Sequence, residues 1–321
     1  MQKIFYILPL IFFIIITGCS EDSLPDYKQE KSVQIKLMQQ TGFTTKLIDE
    51  DNLESEQFVK NISVFFTEPS SNVVTDKFIY SGFTTVDDYK LITLPLDAAT
   101  LQTKDIYIVA NYDTINKLNA VATIQDIQAL TTTWSDKNNL LLPENGFCMY
   151  GSTLGFNFND GSNTPAVVNL VRTCAKIRIN LTFPENPTLS TDNSFLIANA
   201  ANYTYLVQNN EVILPLTDYF TYAAPLPLTN DGTGKYTGIT YIYEASQAPK
   251  LYIYSHINNS TAAQEYSADL PNPWRNHLYN IDVMIYEKNA TTTGRTLKNA
   301  TSQYSYKTTI TVYNSKGEIV H

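Results

Sequence analysis

The sequence predicts an all-β fold of two tandem β-sandwich domains behind an N-terminal export signal. Three observations lead there. Aromatic residues make up 12% of the chain, with 22 Tyr and 15 Phe, and such residues favour half-buried strands over helices. Short segments of alternating apolar and polar residues recur along the body with turn signals between them, the pattern of sandwiches and barrels. The length of 321 residues leaves room for about two domains. Charged residues are only 17% against 43% hydrophobic, which excludes a disordered, solvated chain. With 22 Lys and Arg against 31 Asp and Glu, the net charge is -9. A chain this acidic lacks the basic footprint that nucleic acid selects, so no nucleic-acid partner is expected.

The elements follow in order. Residues 1–18 carry one charge, Lys3, and an apolar run from Ile4 to Ile16. As a helix this run spans about 20 Å, short of the roughly 30 Å hydrocarbon core of a bilayer. It reads as a cleavable secretory signal. The run ends Ile16-Thr17-Gly18-Cys19, which resembles a bacterial lipobox. Cleavage there leaves Cys19 as an acylated N-terminus, and several acyl chains on one residue suffice for stable membrane anchoring. Residues 19–32 are polar and contain Pro25, the composition of a flexible tether. Ser20-Glu21-Asp22 resembles the acidic surface-export signal of lipoproteins in the Bacteroidetes group, which makes the expected location the cell-surface side of the outer membrane.

Val33, Ile35 and Leu37 alternate with Gln34, Lys36 and Met38, a half-buried first strand. Further strands are expected at residues 58–66, 78–83, 89–96 and 105–111. A helix is expected over residues 123–130, where Ile124, Ile127 and Leu130 recur every three residues. Residues 167–183 alternate over two faces and close at Pro184-Glu185-Asn186-Pro187. Strands then follow at 203–207, 211–214, 238–244, 250–256, 278–286 and 304–313. The cleanest domain break is residues 184–193, giving domains 33–184 and 188–321. A rival break lies in the loop cluster at residues 157–165.

No GxGxxG, P-loop, HExxH or GxSxG motif occurs, and His256, His277 and His321 are scattered. No catalytic residue, metal or cofactor is expected. Asp87-Asp88 reads as a solvated turn. After lipidation of Cys19, Cys148 and Cys174 remain. Their apolar contexts favour two buried thiols over a disulfide, although export permits the bond. The many tyrosines suit strand packing as well as a sugar-stacking platform, and a surface glycan-binding lipoprotein is the alternative of a different class.

Six stretches, Glu54-Ser55-Glu56 with residues 59–65, then residues 105–111, 146–151, 170–176, 241–244 and 275–279, resemble in order the fimbrillin-like family of Bacteroidales, the FimA-type fimbrial subunits and anchor lipoproteins. Glu54-Ser55-Glu56 leading into Val59-Lys60-Asn61-Ile62-Ser63-Val64-Phe65 is similar to that family's opening strand pair. Residues 105–111, ending in Ala110-Asn111, resemble its "yvvaN" strand. Gly146-Phe147-Cys148-Met149-Tyr150-Gly151 resembles its "f-x-M-x-G" segment. Leu170, Arg172, Ala175 and Lys176 fall on its "L-x-R-x-x-A-K-i" strand. Tyr241-Ile242-Tyr243-Glu244 and Arg275-Asn276-His277-Leu278-Tyr279 resemble its "Y-x-Y-E" and "RN-x-x-Y" marks.

The resemblance implies two transthyretin-like sandwiches and a structural role in surface fimbriae and adhesion. It also implies partnership with other fimbrial subunits by strand exchange. In stalk subunits a protease removes the first strand, and a neighbour's C-terminal strand fills the groove; main-chain bonds give strength and alternate side chains give register. Here Val33, Ile35 and Leu37 mark the removable strand. Tyr304, Tyr306, Thr308, Ile310 and Val312 share one face of the candidate donor strand. The sequence departs from the stalk pattern at the processing site. The family's Arg is absent, Thr44-Thr45-Lys46 stands there, and no Arg precedes Arg172. Lys46 is therefore the candidate cleavage site. If it is not cut, the strand and the lipid both stay, which is the logic of an anchor at the fimbrial base. The alternatives are a polymerising stalk subunit and a tip subunit.

Overall fold

The computed structural model describes residues 32–39, 54–81, 83, 90–97, 102–134, 146–160, 164–183, 192–207, 218–257, 262–287, 304–314 and 318–320. The regular secondary structure of the described residues is almost entirely strand. The N-terminal half contains β1 (Ser32–Gln39), β2 (Asn61–Thr67), β3 (Val74–Ser81), β4 (Leu91–Asp97), β5 (Thr103–Ala110), β6 (Thr131–Thr133), β7 (Met149–Asn157) and β8 (Ala166–Arg172). Two short helices, α1 (Ile115–Ala120) and α2 (Ile124–Gln128), lie between β5 and β6.

Seven of these strands form one sheet in the order β3-β2-β5-β7-β8-β1-β4. Strands β7 and β8 pair only at Met149↔Arg172 and Tyr150↔Val171. Beyond that joint β7 continues along β5 and β8 along β1, so the sheet opens into two layers. Ile62, Val64, Ile106 and Ile108 of one layer share a buried cluster with Val33, Ile35, Leu37, Ile92 and Leu94 of the other. The rear of the first layer is covered too. Phe65, Tyr107 and Val109 pack against Leu118 of α1 and Ile127 of α2, which is why β2 and β5 are buried on both faces. Helix α2 begins at Thr123, whose side chain accepts from the Asp126 amide while Asp126 caps Thr123 in return; such a box satisfies otherwise orphaned amides. The expected helix at 123–130 is present in shortened form.

The C-terminal half contributes β9 (Cys174–Thr182), β10 (Ser194–Ala198), β11 (Ala200–Ala201), β12 (Tyr203–Tyr205), β13 (Tyr219–Phe220), β14 (Leu226–Pro227), β15 (Thr229–Asn230), β16 (Tyr236–Tyr243), β17 (Lys250–Ser255), β18 (Gln264–Asp269), β19 (Leu278–Glu287), β20 (Tyr304–Tyr313) and β21 (Ile319–Val320). A six-stranded sheet, β15-β16-β9-β19-β20-β21, faces a four-stranded one, β14-β10-β17-β18. Ile177, Ile179, Ile281 and Val283 from the first meet Phe195, Ile197, Leu251 and Ile253 from the second in one core.

Residues 167–183 are two strands in two sheets. β8 pairs with β1, whereas β9 pairs with β16 and β19 in the C-terminal sheet. The sheets change over at Thr173, so β9 belongs to the C-terminal sheet although it precedes the break expected at residues 184–193. Residues 184–193 connect β9 to β10, which belong to the same C-terminal core. Unbroken alternation hid the crossing, because a strand that changes sheet keeps its period of two. The expected strand at 211–214 lies outside the described residues.

Candidate functional site

The residues singled out by sequence fall into three places: the first strand, the tail and the joint between the two halves. Cys19 and Lys46 lie outside the described residues.

β1 is an interior strand. It runs parallel to β8, with Ile35↔Ala166 and Leu37↔Val168, and antiparallel to β4, with Ile35↔Ile92. Val33, Ile35 and Leu37 are buried, while Lys36 and Met38 are exposed. The three apolar residues fill the space between the two layers of the N-terminal sheet. Loss of β1 would therefore strip both ladders and leave a long apolar groove.

The tail is seated at home. β20 pairs antiparallel with β19 over its full length, from Leu278↔Tyr313 to Glu287↔Tyr304. Ile310 and Val312 pack against the C-terminal core, half-buried. Tyr306 donates to the Ser267 carbonyl of β18 and packs edge-on against Tyr266, with ring centroids 5.3 Å apart. That contact ties the margin of the six-stranded sheet to the margin of the four-stranded one. On its outer side β20 meets β21 only at Val312 and Tyr313.

The joint is where the motif residues gather. Glu56, in a single-turn 3₁₀ helix (Glu54–Gln57), is fully buried. Its Oε1 accepts from Lys176 Nζ at 2.6 Å and from the Tyr241 hydroxyl at 2.6 Å. Arg172 donates from Nε to the Glu56 carbonyl at 3.2 Å, from Nη1 to Asn276 Oδ1 at 3.1 Å and from Nη2 to Gln39 Oε1 at 3.1 Å. Arg275 forms a fork on Glu244, with Nε to Oε2 at 3.0 Å and Nη2 to Oε1 at 3.2 Å. Its remaining donors reach the Leu206 and Tyr205 carbonyls at 2.7 and 2.8 Å. Burial, and then the Glu56 carboxylate beside it, raise the Tyr241 phenol above its ordinary value, so the hydroxyl stays a donor at any physiological pH.

Two further motifs meet each other. Asn111 adopts a left-handed φ of 56°, which Asn tolerates better than most residues. Its side chain accepts from the Lys60 amide at 2.7 Å and donates to the Phe58 and Phe147 carbonyls at 2.8 and 3.0 Å. Gly146 sits against this turn with a φ of 75°, and a Cβ there would fall 2.4 Å from the Phe58 carbonyl. The motif residues thus hold backbone and join sheets.

Cys148 and Cys174 are free and buried, and burial pushes both thiols well above their ordinary range. Many tyrosines are core residues, among them Tyr222, Tyr236, Tyr241 and Tyr279. Among the described residues, no group of three or more His, Cys, Asp or Glu side chains is placed to hold a metal. Sequence reading missed the partnership of Glu56 and Gln39 with Arg172. The available signal was polar residues inside apolar strands: Arg172 and Lys176 flank Cys174-Ala175, and Glu244 ends an aromatic run.

Comparison with known proteins agrees with this architecture. Residues 32–183 match the family model of the major fimbrial subunit protein (FimA). The chain is similar in structure to a Bacteroides eggerthii protein provisionally assigned to cell adhesion, with a TM-score of 0.57 and 15% identity over 88% of this chain and 96% of that one. It is also similar to the C-terminally truncated tip fimbrial protein Mfa3 of Porphyromonas gingivalis, with a TM-score of 0.54 and 13% identity over 87% and 97%. A fimbrial assembly protein of Parabacteroides distasonis gives 0.53 and 14% over 90% and 98%. At these identities the solved structures speak to fold. Among curated proteins, no sequence matches the chain.

Proposed function

From the match of residues 32–183 to the family of the major fimbrial subunit protein (FimA), we propose that this chain is a fimbrial subunit, the membrane-anchoring one at the base of a surface fimbrium. The observation that carries the reading is the first strand. β1 is built into the sheet between β8 and β4 with Val33, Ile35 and Leu37 buried, and no Arg precedes Arg172 in the sequence. A protease that needs Arg leaves this strand in place. The groove then stays closed to a neighbour's strand, and the polypeptide from Ser32 back to Cys19 stays intact. Lipid on Cys19 supplies the outer-membrane attachment, since several acyl chains together bind a bilayer stably. The subunit is a structural element supporting adhesion, with no catalytic step.

The outward link to other fimbrial subunits is strand exchange through Tyr304, Tyr306, Thr308, Ile310 and Val312. In this reading β20 leaves β19 and pairs with a neighbour. Two features make β20 the strand to move. It has one long paired edge only, and its inner residues are half-buried where those of β19 are buried.

The test is a Cys19→Ser strain. The expected outcome is fimbriae of ordinary length shed into the medium, with the cell-bound fraction falling to a small remainder. Fimbriae that stay on the cell in that strain would contradict the anchor role.

A further inference from the structure

The inner face of β1 does not stop at the core. Positions 33, 35, 37 and 39 share one side of the strand by the period of two, and the last of them is Gln39. Its Nε2 donates to the Gln57 carbonyl at 2.7 Å, and its Oε1 accepts from Arg172 at 3.1 Å. The same guanidinium holds the Glu56 carbonyl and Asn276 Oδ1. Glu56 in turn is held by Lys176 and Tyr241 from the C-terminal sheet. Asn276 opens the turn that docks on β9, its amide donating to the Cys174 carbonyl at 2.7 Å. An unbroken run of hydrogen bonds therefore starts on the first strand and ends in the other sandwich. Arg172, Glu56 and Asn276 are 4%, 0% and 1% exposed, and half-buried Gln39 closes the run at its outer end.

We propose that Gln39 is a seating sensor: Arg172 reads whether a carboxamide stands at the end of the first-strand seat and passes the difference to the C-terminal sandwich through Asn276 and Glu56. A strand fills the seat fully only when three alternating apolar residues are followed, two positions on, by such a side chain. The contact thus pins register, because a slip of one residue turns the carboxamide to the wrong face. It also selects among strands that could occupy the seat. A related spacing recurs in the tail, where Asn314 stands two residues beyond Val312. Coupling through a network of buried bonds is reciprocal. Disturbing the C-terminal end must therefore loosen β1 as surely as disturbing β1 loosens the C-terminal end.

Hydrogen–deuterium exchange on the purified full chain tests this. Gln39→Leu keeps the size of the side chain and removes its bonds. It should speed amide exchange about fivefold or more, the low end of coupling between sites, both in residues 32–39 and in the turn at residues 274–278. Gln34→Leu, on the outer face of the same strand, should leave that turn unchanged. In the reverse direction, Tyr241→Phe should speed exchange in residues 32–39. Faster exchange confined to residues 32–39 and the adjoining Gln57 would overturn the proposal, as would a Tyr241→Phe variant with undisturbed β1. If Gln39→Leu does not fold, Gln39→Glu decides. It keeps the acceptor for Arg172 but turns an oxygen toward the Gln57 carbonyl in place of the Nε2 donor, so it should speed exchange at 274–278 as well as in residues 32–39; faster exchange confined to residues 32–39 and Gln57 would refute the sensor. The readout is independent of which residue begins the mature protein, so the anchor reading stands or falls separately.

Discussion

Glu56 shows how much of this fold rests on single buried polar residues. Its carboxylate is out of water and is held by one ammonium and one phenol. Taking two charges from water costs several kcal/mol each, and good geometry with extra hydrogen bonds offsets it. Removing one partner leaves a buried charge uncompensated. Lys176→Met should therefore lower stability in urea denaturation by about 3–5 kcal/mol, although Met fits a strand. The double variant Glu56→Leu, Lys176→Met should recover a large part of that loss, since no lone charge remains. A loss from Lys176→Met below about 1 kcal/mol would mean the pair does not join the halves. The sequence displays one side of this arrangement: Arg172 and Lys176 stand out as charges inside apolar strands, and Glu244 as the charge that follows an aromatic run. It does not display the pairing. Glu56 lies 120 residues from Lys176 and 185 from Tyr241, and no local period connects positions so far apart.

At the scale of elements, alternation carries most of the legible information. The first strand, β2, β5, β16, β17, β19 and the tail all appear in the sequence as periods of two or as apolar runs, because each has a buried face. β7 escapes this reading. Its outer residues Ser152, Leu154, Gly155 and Asn157 are exposed without regular alternation, and a bulge in its pairing with β5 breaks the register. The crossing at Thr173 escapes it as well, since both flanking strands keep the same period.

The tail is the element whose state matters most. Its pairing with β19 makes Ile310 part of its own core. Ile310→Asp should then destabilise the isolated protein by about 1–3 kcal/mol, the cost of burying an unpaired polar group at a partly covered site. Lys307→Asp, on the exposed face of the same strand, should cost far less. Equal stability of Ile310→Asp and the parent chain would place the tail outside the core of the free subunit.

At the scale of the molecule, the two sandwiches differ in what completes them. The N-terminal one is closed by its own first strand, which is paired on both sides, with β8 and with β4. The C-terminal one is closed by β20, which is paired in full with β19 but meets β21 only at Val312 and Tyr313. A subunit that keeps the first and lends the last can hold a fimbrium without being extended from its own groove. Everything in that account turns on whether the chain before β1 survives export and assembly. The most direct measurement is intact-mass and peptide mass spectrometry of the mature protein taken from fimbriated cells. The account predicts an N-terminus at Cys19 carrying acyl chains, with residues 32–39 present. A mature N-terminus at Leu47, following cleavage after Lys46, would contradict it, because the first strand and the lipid would both be gone.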